Sequence, residues 1–352
     1  PRWQASSAVL GYAIEVSRIR ELIVSELVRL ERLNRSYGSY LAFEADEVVL
    51  EPGVIGLLGP NGAGKSTLLN MLMGLLAPSS GRAWMLGFDT AKESRRARSR
   101  VGYMPENDSF VAGLSVLQFV SLAGELHGQK PVAARRRAHE VLSLLGLEEA
   151  RYRLIEEQPT GIRQRAKLAQ ALINNPDLVI LDEPTNGLDP AGRSAMLELI
   201  SRLHREQGKS ILLSSHLLGD VERVCDSVVI LDKGRVLAHG EVGALTSSRA
   251  NSYRIQVSGS QEGLGESLAQ RGVEVEALPW RDGAIARDYI VTLPGGADSR
   301  LLFEVFAAGG GTEPGCLLSG LWPHEENLET VFERIVAAEA VSELPLAPQE
   351  AG

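Results

Sequence analysis

The sequence predicts an α/β fold, a sheet covered by helices, followed by a small α+β domain. Three observations predict it. Short continuous apolar runs alternate with helical patterns across most of the chain. A glycine-rich loop lies between one such run and a helix. The composition then shifts near TSSRANS (246–252), giving way to alternating segments and glycine-rich turns.

The runs VIGLL (54–58), LVILD (178–182), ILLSS (211–215) and SVVILD (227–232) have no polar alternation, as expected of strands buried on both faces. STLLNMLMGLL (66–76) and AGRSAMLELISRLHREQG (191–208) have helical periodicity. Strands separated by helices imply a largely parallel sheet. Residues 107–175 are rich in Leu, Ala and Arg and poor in strand signals, so they are expected to form a helical insertion. Beyond 246, YRIQV (253–257) and DYIVTL (288–293) alternate apolar and polar residues around turns such as AAGGGT (307–312). The expected organisation is an N-terminal extension (1–24) with some helical character, a main domain (25–245) and a small α+β domain (246–341). A Pro-, Glu- and Ala-rich tail (342–352) is expected to be disordered.

Bulk properties narrow the function. The 352 residues carry a net charge of −9, which argues against a general nucleic-acid binder. SRRARSR (94–100) and ARRRAH (134–139) are short basic runs in helical regions of an acidic chain and read as solvated helix faces. The two cysteines, Cys225 and Cys316, are far apart with no His or Cys cluster nearby, so neither a disulfide framework nor a zinc site is expected. No apolar run reaches the roughly 20 residues that span a bilayer. A role at a membrane would need a separate membrane-crossing partner. AVLGYAI near the start is a poor secretion signal, and the chain begins with Pro1 rather than Met.

The chemistry concentrates at two places. GPNGAGKST (59–67) fits the G-x-x-x-x-G-K-[ST] pattern, and it sits where that pattern works, after a buried strand and at the start of a helix. Gly59, Gly62 and Gly64 permit tight turns, and Pro60, Asn61 and Ala63 complete the loop. Its backbone N–H groups and the helix N-terminus favour phosphate oxygens. Lys65 suits the β- and γ-phosphates, Ser66 suits Mg²⁺, and Thr67 follows in the helix. LVILDEPT (178–185) then delivers Asp182 and Glu183 to the C-terminal end of a strand, the edge at which ligands bind in such sheets. Asp182 suits a magnesium shell, and Glu183 a base acting on the attacking water. His216 in SSH (214–216) ends the next apolar run and is placed at the same edge.

Together, GPNGAGKST, QPTGIRQR, LVILDEPTNGLDP and SSH resemble, in order and spacing, the nucleotide-binding subunits of ATP-binding-cassette (ABC) transporters. The resemblance covers about residues 27–245. It implies a P-loop NTPase cassette with a mixed sheet core and a helical subdomain, using ATP and Mg²⁺. It also implies a head-to-tail dimer with a second cassette, homo- or heteromeric, in which each ATP lies between the phosphate loop of one subunit and the signature segment of the other. By the same resemblance, Tyr37 is the aromatic that stacks on adenine. Thr160 and Gly161 belong to the signature, Gly187, Leu188 and Asp189 to the loop between sites, and His216 contacts the γ-phosphate. GYMPEND (102–108) is similar to the lid loop that touches magnesium and water. Most of the superfamily has Gln where this chain has Glu106. ENLETVFERI (326–335) is similar to the closing helix of drug, ion and polysaccharide exporter subunits, which also carry a small C-terminal domain.

The expected function is thus an ATPase that powers export through a separate membrane-spanning permease, at the cytoplasmic face of the membrane. No nucleic-acid partner is expected. The alternatives are a soluble cassette protein of translation or DNA repair, and a regulatory cassette with weak turnover. A single set of motifs and the short interval between Lys65 and Gly161 argue against the former. One departure bears on the latter. The family's signature begins Ser-Gly-Gly, whereas this chain has Pro159, Thr160 and Gly161. Proline lacks the serine hydroxyl and suits a first helical turn. The expectation is a weakened, not abolished, grip on the partner's phosphate.

Overall fold

The computed structural model describes residues 26–246, 252–259, 263–278, 286–294, 297–307, 316–324 and 327–342. The expectations for residues 1–24, for most of TSSRANS and AAGGGT, and for the tail beyond Ser342 fall outside them. The described residues divide into two compact units, one holding residues 26–242 together with 334–342, the other lying within Gly243–Glu333.

The first unit is built on a ten-stranded mixed sheet. In chain order its elements are β1 (Val28–Tyr37), β2 (Tyr40–Leu50), β3 (Val54–Leu58), α1 (Lys65–Leu72), β4 (Ser80–Met85), β5 (Phe88–Asp89), α2 (Ser94–Arg98) and β6 (Val101–Met104). Next come α3 (Val116–Leu126), α4 (Pro131–Leu144), a 3₁₀ turn (Ile155–Glu157), α5 (Thr160–Leu172), β7 (Leu178–Asp182), α6 (Pro190–Gln207), β8 (Ser210–Ser215), α7 (Leu218–Val224), β9 (Ser227–Asp232) and β10 (Arg235–Glu241). The strand order is β5-β4-β1-β2-β10-β9-β3-β8-β7-β6.

The four runs read as buried strands are β3, β7, β8 and β9. They pair in parallel, β9-β3-β8-β7, with β6 outside β7. Every residue of β3, β7 and β8 is buried, which is why these strands carry no alternation. The remaining strands pair antiparallel along the other half, joined through a parallel contact of β10 with β2. The region read as a helical insertion holds α3, α4 and α5. A capping box of Ser115 and Gln118 starts α3, and Pro131 occupies the first turn of α4.

Two helices differ from the sequence reading. The helix after the phosphate loop is shorter than the apolar run suggests. It ends at Leu72, and Gly74, with φ 63°, turns the chain away. The signature helix α5 begins at Thr160, one residue later than a first-turn Pro159 requires. Pro159 is instead the N-cap, with extended ψ of 152°. Its carbonyl accepts from the N–H groups of Ile162 and Arg163.

The second unit is a four-stranded antiparallel sheet, order β12-β13-β11-β14, from β11 (Ser252–Ser258), β12 (Glu274–Ala277), β13 (Ala286–Thr292) and β14 (Leu317–Pro323). The short helices Leu264–Ala269 and Arg300–Ala307 supply Leu264, Leu268, Leu302 and Val305 to a core with Ile255, Val257, Tyr289 and Val291. The division falls after Val242, not after Leu245, and residues 334–342 group with the first unit. Glu339, on the closing helix (Leu328–Ser342), lies 3.8 Å from Arg235 of β10.

Candidate functional site

The phosphate loop spans the gap between β3 and α1. Gly64 has φ 102°, and a Cβ there would lie 2.9 Å from the Ala42 carbonyl oxygen. At Gly59 the limit is proximity: a Cβ would meet the Leu231 carbonyl oxygen at 2.3 Å. Only glycine fits either position without moving backbone. The loop opens on a cavity of about 210 Å³ lined by Tyr37, Tyr40, Ala42, Pro60–Thr67, Glu106, Asp182 and Glu183.

Lys65 is the first residue of α1 and is 7% exposed. Its ammonium donates to the carbonyls of Gly59 (2.5 Å) and Pro60 (3.3 Å) and lies 3.4 Å from Glu183 Oε1. That oxygen is buried without a hydrogen bond, so the ion pair is not aligned. Glu183 holds φ 49°, a left-handed value that non-glycine residues rarely take. Its N–H donates to both the backbone carbonyl (3.2 Å) and the hydroxyl (3.0 Å) of Ser214. The second carboxylate oxygen, Oε2, accepts from His216 Nδ1 at 2.8 Å.

Asp182 closes β7 and is held from two sides. Ser214 Oγ donates to Oδ1 at 2.6 Å, and Tyr103 OH lies 3.4 Å from Oδ2. Burial, with the nearby Asp182 and Glu106 charges, pushes the Tyr103 phenol up to about 12. The oxygen donors lining the cavity include the Ser66 hydroxyl and the carboxylates of Asp182, Glu106 and Glu183. Hard oxygen ligands of this kind suit Mg²⁺, which takes one or two carboxylates and fills its shell from phosphate and water. Among the described residues, no group of three or more His, Cys, Asp or Glu side chains is placed to hold a metal by itself.

The lid loop is tied to α5. Glu106 Oε1 accepts from Asn186 Nδ2 (3.3 Å), and Gln164 Nε2 donates to the Asn186 carbonyl (3.1 Å). Lys167, 1% exposed, donates to the Glu106 carbonyl at 2.7 Å and pairs with Asp108 at 3.4 Å. Burial lowers its pKa, opposed by Asp108 and Glu106.

Thr160, Gly161 and Asp189 do not line the cavity. Thr160 Oγ1 accepts from Arg163 Nη2 at 3.3 Å. Asp189 caps α6, accepting from Gly192 N–H at 3.0 Å. Tyr37 is 51% exposed at the rim, with the Arg35 guanidinium 4.3 Å from its ring centroid. Sequence reasoning missed Tyr40, Tyr103, Asn186, Ser214 and Lys167. Of these, Ser214 was legible in principle, because Ser214 and Ser215 follow the apolar run 211–213 directly before His216.

A profile of the ABC transporter family matches residues 47–186. An ABC transporter ATP-binding protein of Synechocystis sp. is 40% identical over 221 residues, which is 62% of each chain. A Nod factor export ATP-binding protein of Cupriavidus metallidurans is 34% identical over 239 residues, 68% of this chain and 78% of the relative. The chain belongs to the family of ABC transporter ATP-binding proteins. Solved structures agree. The cbiO1 cassette of Clostridium perfringens, part of the cbiONQ transporter complex, aligns with TM-score 0.56 and 31% identity over 62% of this chain and 89% of its own. A dimeric cassette with ADP and phosphate aligns with TM-score 0.54 and 25% identity over 61% and 98%. This ABC protein is an ATPase subunit, and ABC cassettes bind ATP and ADP. No helix among its described residues is long and apolar enough to cross a membrane.

Proposed function

We propose that the chain is the motor of an exporter, acting at the inner face of the membrane through a separate permease. The observation that carries the site reading is the convergence of Lys65, Asp182, Glu183 and Glu106 on one cavity beside the phosphate loop. In this reading Lys65 and the loop amides hold the phosphates, while Ser66, Asp182 and Glu106 would hold Mg²⁺, which when bound would neutralise phosphate charge. Glu183, oriented by His216, positions the attacking water and receives its proton. Tyr37 offers adenine the ring face opposite Arg35. Thr160, Gly161 and Asp189 lie outside the cavity because they serve the ATP of a second cassette across the dimer. The name of the Nod factor export relative supports export, and the cbiONQ assembly supports a permease partner. The test is co-expression with any membrane-spanning protein whose gene lies beside this one. The two should co-purify, and ATPase activity should be coupled to that partner in vesicles. A tagged chain that hydrolyses ATP but captures no membrane protein would sink the exporter reading.

A chain ending at Leu245 is expected to keep nucleotide affinity within about twofold, because every cavity residue lies before it and distant changes combine nearly independently. Fluorescent-nucleotide titration of the folded, truncated protein checks this.

Pro159→Ser is expected to raise ATP turnover of the dimer by roughly tenfold or more, the worth of one restored charge-assisted hydrogen bond. The N-cap position found for Pro159 adds a second expectation. Serine there accepts from a free helix N–H and should stabilise α5 by about 0.5–2 kcal/mol. A thermal shift without a turnover change would leave Pro159 a helix-starting residue only.

A further inference from the structure

The cavity that takes the phosphates also gathers three carboxylates, Asp182, Glu183 and Glu106, against one lysine, Lys65. A polyanionic ligand entering such a site meets uncompensated negative charge. A second cation lies beneath the lid. Lys167 is 1% exposed, yet its ammonium reaches the Glu106 carbonyl at 2.7 Å and Asp108 at 3.4 Å. Lysine is almost never buried this completely unless it is paired. Its partner Asp108 is 40% exposed and is shared with Arg163, also at 3.4 Å. That carboxylate is therefore served twice from α5. Seating the lid main chain alone would not require a buried charge, since a neutral donor satisfies a carbonyl at less desolvation cost.

We infer that Lys167 is a positioning residue that seats the lid loop and offsets the Glu106 carboxylate, so that a nucleotide can bind beside three acidic side chains. The inference rests on the nucleotide reading of the cavity. It predicts a coupling between two residues whose side chains make no direct hydrogen bond. Glu106 Oε1 is held by Asn186, whereas Lys167 touches only the Glu106 backbone. Removing the cation should expose the carboxylate's charge to the phosphates, and removing the carboxylate as well should cancel that effect.

The experiment measures the affinity of the full chain for a fluorescent ATP analogue in excess EDTA, so that no metal masks the charges. Lys167→Met keeps the length of the side chain and removes its charge. It is expected to weaken metal-free binding roughly tenfold, the order of a single charge–charge interaction at an effective dielectric near 20. Glu106→Gln in the Lys167→Met background should recover most of that loss, and Lys167→Arg should stay near the unaltered protein. If Lys167 only staples the lid, Lys167→Gln, which keeps a donor for the Glu106 carbonyl without the charge, binds as tightly as the unaltered protein; that result overturns the inference. Asp108→Asn, at an exposed position, covers the case in which Lys167→Met does not fold. It leaves more of the Lys167 charge available and should tighten metal-free binding two- to threefold, by the same Coulomb scaling; no change counts against the proposal. Lys65→Ala serves as the reference. Weaker binding there with none in Lys167→Met sinks this inference alone. No effect in either protein sinks the assignment of the cavity.

Discussion

Glu183→Gln is expected to cut ATP turnover by about 10²–10⁴ while nucleotide still binds. The amide keeps the shape of the side chain and continues to meet His216, but it cannot take a proton from water. The local geometry makes the substitution clean. The left-handed φ of 49° at Glu183 is held by two hydrogen bonds from its N–H to Ser214, and these do not involve the carboxylate. The backbone strain is thus met by β8 rather than by the side chain, and the variant should keep it. With hydrolysis blocked, a subunit that closes on ATP should stay closed, so size-exclusion chromatography with Mg²⁺-ATP should show a stable dimer of the variant. Single-turnover phosphate release is the direct measurement. A rate equal to that of the unaltered chain would remove Glu183 from the proton path and leave Asp182 or a water chain to fill it.

What the sequence revealed and what it hid follow one physical line. The parallel strands β3, β7, β8 and β9 were legible because burial on both faces leaves no polar alternation to confuse the reading. The phosphate loop was legible because glycine is forced at Gly59 and Gly64 by approaching backbone. The antiparallel half of the sheet was much less so. β1 and β2 mix charged and apolar residues; they pair as a hairpin across residues 38–39, but their places beside β4 and β10 depend on contacts distant in sequence. Side-chain partners were hidden for the same reason. Ser214 joins Asp182 and Glu183 only because β8 lies beside β7, and Lys167 meets Glu106 only because α5 packs under the lid. Pro159 shows a limit of another kind. Its fixed φ suits either the first turn or the cap, and only ψ, 152° here, separates the two.

Lys65→Ala is expected to lower ATP turnover by about 10²–10³ and to weaken nucleotide binding with it. The argument begins from where the ammonium now sits. It is anchored on the carbonyls of Gly59 and Pro60, in the loop itself, and is 3.4 Å from Glu183. These contacts hold a positive charge, itself only 7% exposed, beside the phosphate-loop cavity. Such a preorganised cation acts on developing phosphate charge at little reorganisation cost. Alanine removes that charge and also leaves Glu183 Oε1, which already lacks a hydrogen bond, with no cation beside it. Both effects oppose an incoming phosphate. They are separable through Glu183→Gln in the Lys65→Ala background, since the amide carries no charge to repel the phosphates. Binding should recover in part in the double variant, by the share due to Glu183, while turnover stays low. Isothermal titration with Mg²⁺-ATP reads the first and phosphate release the second. Unchanged affinity and turnover in Lys65→Ala would mean that the phosphates do not approach this lysine.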